Sequence, residues 1–415
     1  MTVGIRHDDL RRRNRAMVIS AVRRSGQPSR TEIAGTTALS HSTISAIAAD
    51  LINEGVLLEA KSTEPASLKR GRPQVAIALN PAAGSVIAIV LSLNSLIATL
   101  IDYSGQTIAS ESRRFTTQTL PRNELISEVL AVTRELLKRN GEDESRVMRI
   151  VLAIQGITDS KARTLLWSPI MPHTDIGFAD LLEGATGIPV TVANDCNMMA
   201  VALRWRDPRR YRDNFFTLLL SHGIGMGLVL RGEVFTGTQS SGGEFGHMIH
   251  RPGGALCRCG RQGCIEAYAG SYAIWRNAMR LPEDSQPGAD IPDAEMTRLA
   301  EKARTGDGPE REAFRKAGAA IGYGLGNVFA LFDPAPVAMV GHGASAFDLI
   351  EGAVRDAIAQ TAGGQHSKAI SFDTDTDEMR LISEGCAMRA LTFVDEQIFA
   401  PGVPVPSLAA GKNVA

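Results

Sequence analysis

The chain has 415 residues, 44% of them apolar and 21% charged, with a net charge of −1. That length exceeds one ordinary core, so two or three domains are expected, and the composition is that of a soluble globular protein. No apolar run reaches the roughly 18 residues of a membrane span. The basic N-terminus lacks the apolar segment of a signal peptide, so a cytoplasmic protein with reduced cysteines is expected.

Charge is uneven along the chain. Residues 1–80 hold 12 Lys/Arg against 7 Asp/Glu, a net +5, so the remainder is acidic. A basic first segment on an acidic body suggests a polyanion-binding module. Residues 8–25 read as a helix with Leu10, Met17, Val18, Ala21 and Val22 on one face and arginines on the other. Ser25-Gly26-Gln27-Pro28 breaks it. A short helix from Ser29 or Arg30 through Ala34, a turn near Thr36–Leu39 and a helix capped by Ser40 follow. Helix, short helix, turn, helix is the helix-turn-helix pattern, whose last helix enters the DNA major groove. Its leading residues Ser40, His41, Ser42, Thr43 and Ser45 are small or polar, as groove-facing positions require.

Two β-rich runs, Val56–Glu59 and Gln74–Leu79, enclose a polar loop ending in Lys69-Arg70-Gly71-Arg72-Pro73. Directly after a recognition helix, this hairpin reads as a wing, with Arg70 and Arg72 reaching a narrow A·T-rich minor groove. A solvated linker is the other reading. Asn80–Gly84 marks a domain boundary. Strands are expected at Val86–Leu93, Ser95–Asp102 and Thr107–Arg114, then a helix at Glu124–Arg139 and a buried strand at Ile150–Ile154. Such an order makes a mixed-sheet α/β lobe.

Another apolar strand, Val190–Ala193, ends in Asn194-Asp195-Cys196-Asn197. The carboxyl end of a buried strand is where α/β folds place ligands; Asp195 is equally suited to cap the helix that follows. A strand at Phe215–Leu220 leads into a glycine-rich turn at 221–227, either a phosphate cradle or a bare hairpin. Helices dominate from Ser271 to about Phe332, Val337–Val340 is a short strand, and a last helix spans about Glu384–Phe399.

The densest chemistry lies at His247-x9-Cys257-x-Cys259-x4-Cys264. One imidazole and three thiols at this spacing suit a closed tetrahedral zinc site, one ion per chain, structural rather than catalytic. Glu244 and Glu266 flank it. A metal that pins the loop also fixes these carboxylates, which with the imidazole make good partners for a polyhydroxylated ligand.

With those residues in place, the chain resembles the ROK family of repressors, open reading frames and sugar kinases, over roughly residues 12–400. The resemblance rests on the Gly-His and Cys-x-Cys-Gly-x-x-Gly-Cys-x-Glu signature at 246–266 and on Asn194-Asp195-x-Asn197. The winged helix-turn-helix with Gly71-Arg72-Pro73 looks like the family's transcriptional-regulator branch. The resemblance implies an α/β fold: a winged helix-turn-helix at 1–80, then a two-lobed, actin-like body of the ribonuclease H and sugar-kinase type. The small lobe would be 84–194 plus a returning helix at 385–400, and the large lobe 195–384. It further implies a sugar between the lobes, held by Asn194, Asp195, Glu244, His247 and Glu266, with His247 serving zinc and sugar through opposite ring nitrogens. Operator DNA, a sugar effector and a homodimer or homotetramer are the implied partners. Family kinases carry Asp-x-Gly-Gly-Thr on the first hairpin; Val90–Leu96 here has no Asp and no Gly pair, and its leucines are expected to block phosphate. The expected activity is therefore regulation without catalysis, the alternative being an active sugar kinase with an added DNA-binding domain.

Overall fold

A computed structural model describes residues 7–60, 75–139, 146–238, 240, 242–287, 291–364 and 370–402. It begins with three helices, α1 (His7–Ser25), α2 (Arg30–Thr37) and α3 (His41–Asn53), packed with a hairpin of β1 (Leu57–Ala60) and β2 (Ala76–Leu79). Ser29 and Glu32 form a reciprocal capping box at α2, and Ser40 Oγ accepts from Thr43 N at 3.1 Å at α3. The expected end of α2 at Ala34 is one turn early. Thr37 Oγ1 donates to the Ile33 carbonyl at 2.7 Å, and Ala38, with φ 58°, closes the helix instead. Helical periodicity turns Ile44, Ile47, Ala48 and Leu51 of α3 inward. Strands β1 and β2 pair antiparallel, Leu57 opposite Leu79 and Ala60 opposite Ala76. The expected wing tip at 61–74, with Arg70 and Arg72, lies outside the described residues.

The first body sheet runs β5-β4-β3-β6-β9. Strands β3 (Ser85–Ser92), β4 (Ser95–Asp102) and β5 (Thr107–Arg114) form an antiparallel meander. After helix α4 (Arg122–Arg139), β6 (Val147–Ile154) joins parallel to β3. A short pair, β7 (Ile157–Thr158) with β8 (Leu165–Trp167), and helix α5 (Phe178–Thr186) precede β9 (Val190–Asn194), parallel to β6. Strand alternation divides β3 between two cores. Ile87, Ile89 and Leu91 pack under α4 and α5, while Val86, Ala88 and Val90 face the opposite side.

Helix α6 (Asp195–Arg206) leaves the end of β9 and leads to a second sheet, β12-β11-β10-β13-β14. Here β10 (Phe215–Leu220), β11 (Ile224–Leu230) and β12 (Glu233–Phe235) are antiparallel, and β13 (Val337–Val340) and β14 (Phe372–Asp375) run parallel to β10. Helices α7 (Glu266–Ala269), α8 (Ser271–Ala278), α9 (Asp293–Thr305), α10 (Pro309–Phe332) and α11 (Phe347–Ala359) supply most of its cover. Helix α12 (Glu378–Phe393) returns to pack on β3, β6 and α6, and a π-helical turn at Val394–Phe399 follows it. It starts earlier than the expected Glu384 because Asp377 caps it, accepting from Arg380 N at 3.1 Å.

The glycine-rich stretch is the bare hairpin rather than a cradle: residues 221–223 turn and β11 starts at Ile224. Gly225 and Gly227 lie in β11 under α6, where a Cβ on Gly227 would stand 2.4 Å from the Cys196 carbonyl oxygen. These glycines let helix and sheet approach closely. In the first hairpin Leu91 and Leu96 are fully buried in the core under α4, while Leu93, half-buried, forms the turn with Asn94. One apolar core runs from Val18 and Val22 of α1 through Leu79, Ala83 and Val86 to Met198 of α6 and Cys386 of α12. No helix among the described residues is long and apolar enough to cross a membrane.

Candidate functional site

Strands β6 and β9 end side by side, Ile154 opposite Asn194, and the chain beyond each turns towards β11 and the 242–266 segment. The cleft so formed has a volume of about 580 Å³. All five residues expected to hold a sugar line it: Asn194, Asp195, Glu244, His247 and Glu266.

Asn194, not Asp195, caps α6. Its Oδ1 accepts from Asn197 N at 3.1 Å and its Nδ2 donates to the Gly156 carbonyl at 3.0 Å, which ties the ends of β9 and β6 together. Asp195 is left in the first turn, 5% exposed, with Oδ1 accepting from Cys196 N at 2.9 Å. Burial pushes its carboxyl up to about 7, and the nearby Glu378 charge adds to the rise. Near neutrality it therefore exchanges between hydrogen-bond acceptor and donor.

Glu266 opens α7 and is 4% exposed; its Oε2 accepts from Ile224 N at 3.2 Å. Glu244 sits just before a 3₁₀ turn at Phe245–His247, its Oε2 3.9 Å from His247 Nε2. Burial raises the Glu244 carboxyl, opposed by His247 and reinforced by Glu266. Three carboxylates thus crowd a half-closed cleft, and no Lys or Arg side chain is among the described residues lining it.

The opposite ring nitrogen of His247 faces the cysteines: Nδ1 is 3.8 Å from Cys257 Sγ. The donor atoms of His247, Cys257, Cys259 and Cys264 all lie within 4.8 Å of one another, and Cys259 Sγ is 3.7 Å from Cys264 Sγ. Zn–S bonds of about 2.3 Å at tetrahedral angles require sulfurs about 3.8 Å apart. The Cys259–Cys264 pair matches that spacing and every other donor pair lies within about 1 Å of it or closer, so the donor set fits a zinc ion. Such an ion would deprotonate the thiols and hold the 247–266 loop. Arg258, between two of these cysteines, donates to the His222 carbonyl at 3.1 Å and lies over the Tyr272 ring.

Sequence reasoning missed Gln155, Trp167 and Ser240, which also line the cleft, as does Asn197 of the motif after β9. Trp167 meets His247 edge to face at 5.9 Å, an apolar wall of the kind that packs on a sugar ring. The signal for Gln155 was present: it ends β6 in the same way that Asn194 ends β9.

At the other end of the molecule, Ser40, His41, Ser42 and Ser45 are exposed and Thr43 is half-buried. Ser40 Oγ also meets Thr43 Oγ1 at 2.8 Å, so these two residues build the helix start as well as its surface. The arginines of α1 are not all available to a polyanion. Arg15 and Arg23 are 2% and 3% exposed in their side chains and pair with Glu54 and Asp395.

A family model described as the ROK family matches residues 86–376. The chain belongs to the ROK family. Among ROK relatives, the xylose repressor of Caldicellulosiruptor bescii is 23% identical over 92% of this chain and 96% of its own length. The DNA-binding transcriptional repressor Mlc of Escherichia coli is 23% identical over 88% of this chain and 90% of its own. A ROK transcriptional regulator described as a homologue of the E. coli Mlc protein superposes with a TM-score of 0.75 at 22% identity, covering 93% of this chain and 97% of that one. A ROK glucokinase from Streptomyces griseus, solved with glucose and AMPPNP, gives a TM-score of 0.59 at 24% identity and covers 73% of this chain and 98% of its own. The fold is thus a helix-turn-helix joined to an actin-like, sugar-kinase-type body.

Proposed function

We propose that this chain is a sugar-responsive transcriptional repressor. It reads operator DNA through α3 and the wing, and takes an unreacted sugar between its lobes. The observation that carries the reading is the convergence of Asn194, Asp195, Glu244, His247 and Glu266 on one cleft, in a chain whose first helices form a helix-turn-helix on the same core. Relatives named as xylose repressors match nearly end to end. In this reading residues 1–80 bind DNA, 84–194 with 385–400 form the small lobe, and 195–384 form the large lobe. Ser40, His41, Ser42, Thr43 and Ser45 face the major groove, and Arg70 and Arg72 the minor groove. One structural zinc on His247, Cys257, Cys259 and Cys264 holds Glu244 and Glu266 in place. The chain works in the cytoplasm as a homodimer or homotetramer, since one module makes too few contacts for operator specificity.

A second reading, a sugar kinase, draws on Asp195: a buried carboxyl near 7 suits a general base. Against it, the first hairpin offers no carboxylate for Mg²⁺, and its Asn94 Oδ1 is taken by Thr117 N at 3.1 Å. Thermal-shift screening against neutral, N-acetylated, amino and phosphorylated sugars tests the first reading. It fails if no sugar stabilises the protein or alters its DNA binding. A coupled assay for ADP formation with the best-binding sugar tests the second.

A further inference from the structure

The recognition helices are bolted to the far end of the chain. Arg23 of α1 donates to both carboxylate oxygens of Asp395, at 2.7 and 2.8 Å, and to the Tyr103 carbonyl at 2.8 Å. Tyr103 Oη donates to Asp395 Oδ1 at 2.6 Å. About two turns earlier on α1, Arg15 donates to the Phe399 carbonyl at 2.9 Å, and about one turn before that Arg12 reaches Gln397 at 2.6 Å. Tyr103, Asp395 and Phe399 are all buried, and the Tyr103 ring meets Phe399 edge to face at 4.8 Å. Three parts of the fold therefore meet in one buried cluster: α1, the β4–β5 turn of the first sheet, and the π-helical turn after α12.

That turn continues α12, and α12 lies against α6. A Cβ on Gly385 would stand 1.8 Å from the Met198 carbonyl oxygen, so the two helix backbones touch with no side chain between them. A contact of this kind transmits displacement, because it has no flexible group to absorb it. Helix α6 begins at Asn194 and Asp195 in the cleft, and its Cys196 lies against β11 of the second sheet. Any change in the angle between the sheets on ligand binding must move α6 relative to one of them.

From this arrangement we infer that cleft occupancy reaches the DNA-binding helices through α6, α12 and the Arg23–Asp395–Tyr103 cluster. Asp395 is the positioning residue that fixes α1 to the body. The inference rests on the sugar-responsive reading above and adds its route. On this route the Asn80–Gly84 boundary is not a free hinge. Asn80 is committed to the winged unit, donating to the Gly55 carbonyl at 2.7 Å, and Ala83 is part of the common core.

The test uses the full-length protein and a duplex selected by the wild-type chain from a random pool. Xylose, glucose and N-acetylglucosamine serve as probes in separate arms. Wild type should show a change in duplex affinity of about 5–150-fold with the probe that binds. Asp395→Asn and Tyr103→Phe should each keep the calorimetric sugar affinity within about twofold, while the sugar-dependent change falls below about twofold. Tyr103→Phe retains the Arg23–Asp395 pair and so guards against simple misfolding; melting curves confirm that each variant is folded. A sugar effect that survives both substitutions overturns the route alone. No sugar effect in wild type overturns the functional reading, and the route with it. Loss of sugar affinity in the variants overturns the route too, since a merely structural defect would then explain the lost response.

Discussion

Replacing Asp195 by Asn probes the electrostatics of the cleft. The carboxyl is 5% exposed and is held up to about 7 against an ordinary 3.8. A difference of about 3 units corresponds to about 4 kcal/mol between the two protonation states. Because the folded value lies above the unfolded one, the folded chain holds the proton more tightly. The stabilising contribution of the neutral acid is therefore complete below about pH 4 and is lost as pH rises through about 7. Above that, the fold carries a desolvated carboxylate, with Glu378 at the start of α12 repelling it and the Cys196 N–H offsetting part of the cost. Asn is neutral throughout and keeps an oxygen for that N–H. Between about pH 5 and about pH 8, the ligand-free variant should gain about 2–3 kcal/mol on wild type in urea-unfolding free energy. Circular dichroism at matched metal content reads the change. A difference between the two proteins that does not vary with pH would refute the reasoning, because the carboxyl would then titrate as it does in the unfolded chain. The gain in stability should come with a loss of function: calorimetry should show weaker sugar binding by Asp195→Asn, with DNA binding retained.

The other predictions concern the metal, the wing and catalysis. Protein purified without chelator should contain one zinc per chain by elemental analysis. Stripping it should abolish the sugar response and loosen the 247–266 loop in hydrogen exchange while α1–α3 stay protected. Arg70→Ala with Arg72→Ala should weaken binding most on A·T-rich half-sites; equal loss on G·C-rich ones would mean that these side chains touch only phosphate. With ATP, Mg²⁺ and the best-binding sugar, no sugar phosphate should form above a control without protein. Turnover abolished by Asp195→Asn would instead make this a kinase that also binds DNA.

Elements written by local chemistry were legible in the sequence. The caps at Ser29 and Ser40, the period of Ile44, Ile47 and Leu51, and the alternation along β3 each follow from a few neighbouring residues. The four candidate metal donors were legible from their short spacing, while the five cleft positions came from the resemblance to the ROK family together with the polar end of β9 and the carboxylates flanking the metal loop. What escaped depends on contacts distant in sequence. Nothing near Gly225 or Gly227 says that α6 will press on them, so a packing requirement looked like a loop. That Leu91 and Leu96 face the core rather than the cleft is decided by α4, a separate element later in the chain. The arginines of α1 counted only as part of a basic segment, because the Asp395 and Phe399 groups that claim Arg23 and Arg15 lie far away in sequence.

Arg23 and Asp395 are 372 positions apart, and they close the cluster that seats α1. A ribosome adding about 5–20 residues per second needs tens of seconds to cover that distance. Throughout that interval the helix-turn-helix has emerged, yet the surface that seats it does not exist. Arg23 is still without its carboxylate, Arg15 has Glu54 but not the Phe399 carbonyl, and Val18 and Val22 have only part of their final packing. A chain terminated before residue 395 would never complete that seat. Synthesis itself thus acts as a proofreader: the buried ion pair forms only in a polypeptide that already contains the cleft, the metal loop and α12.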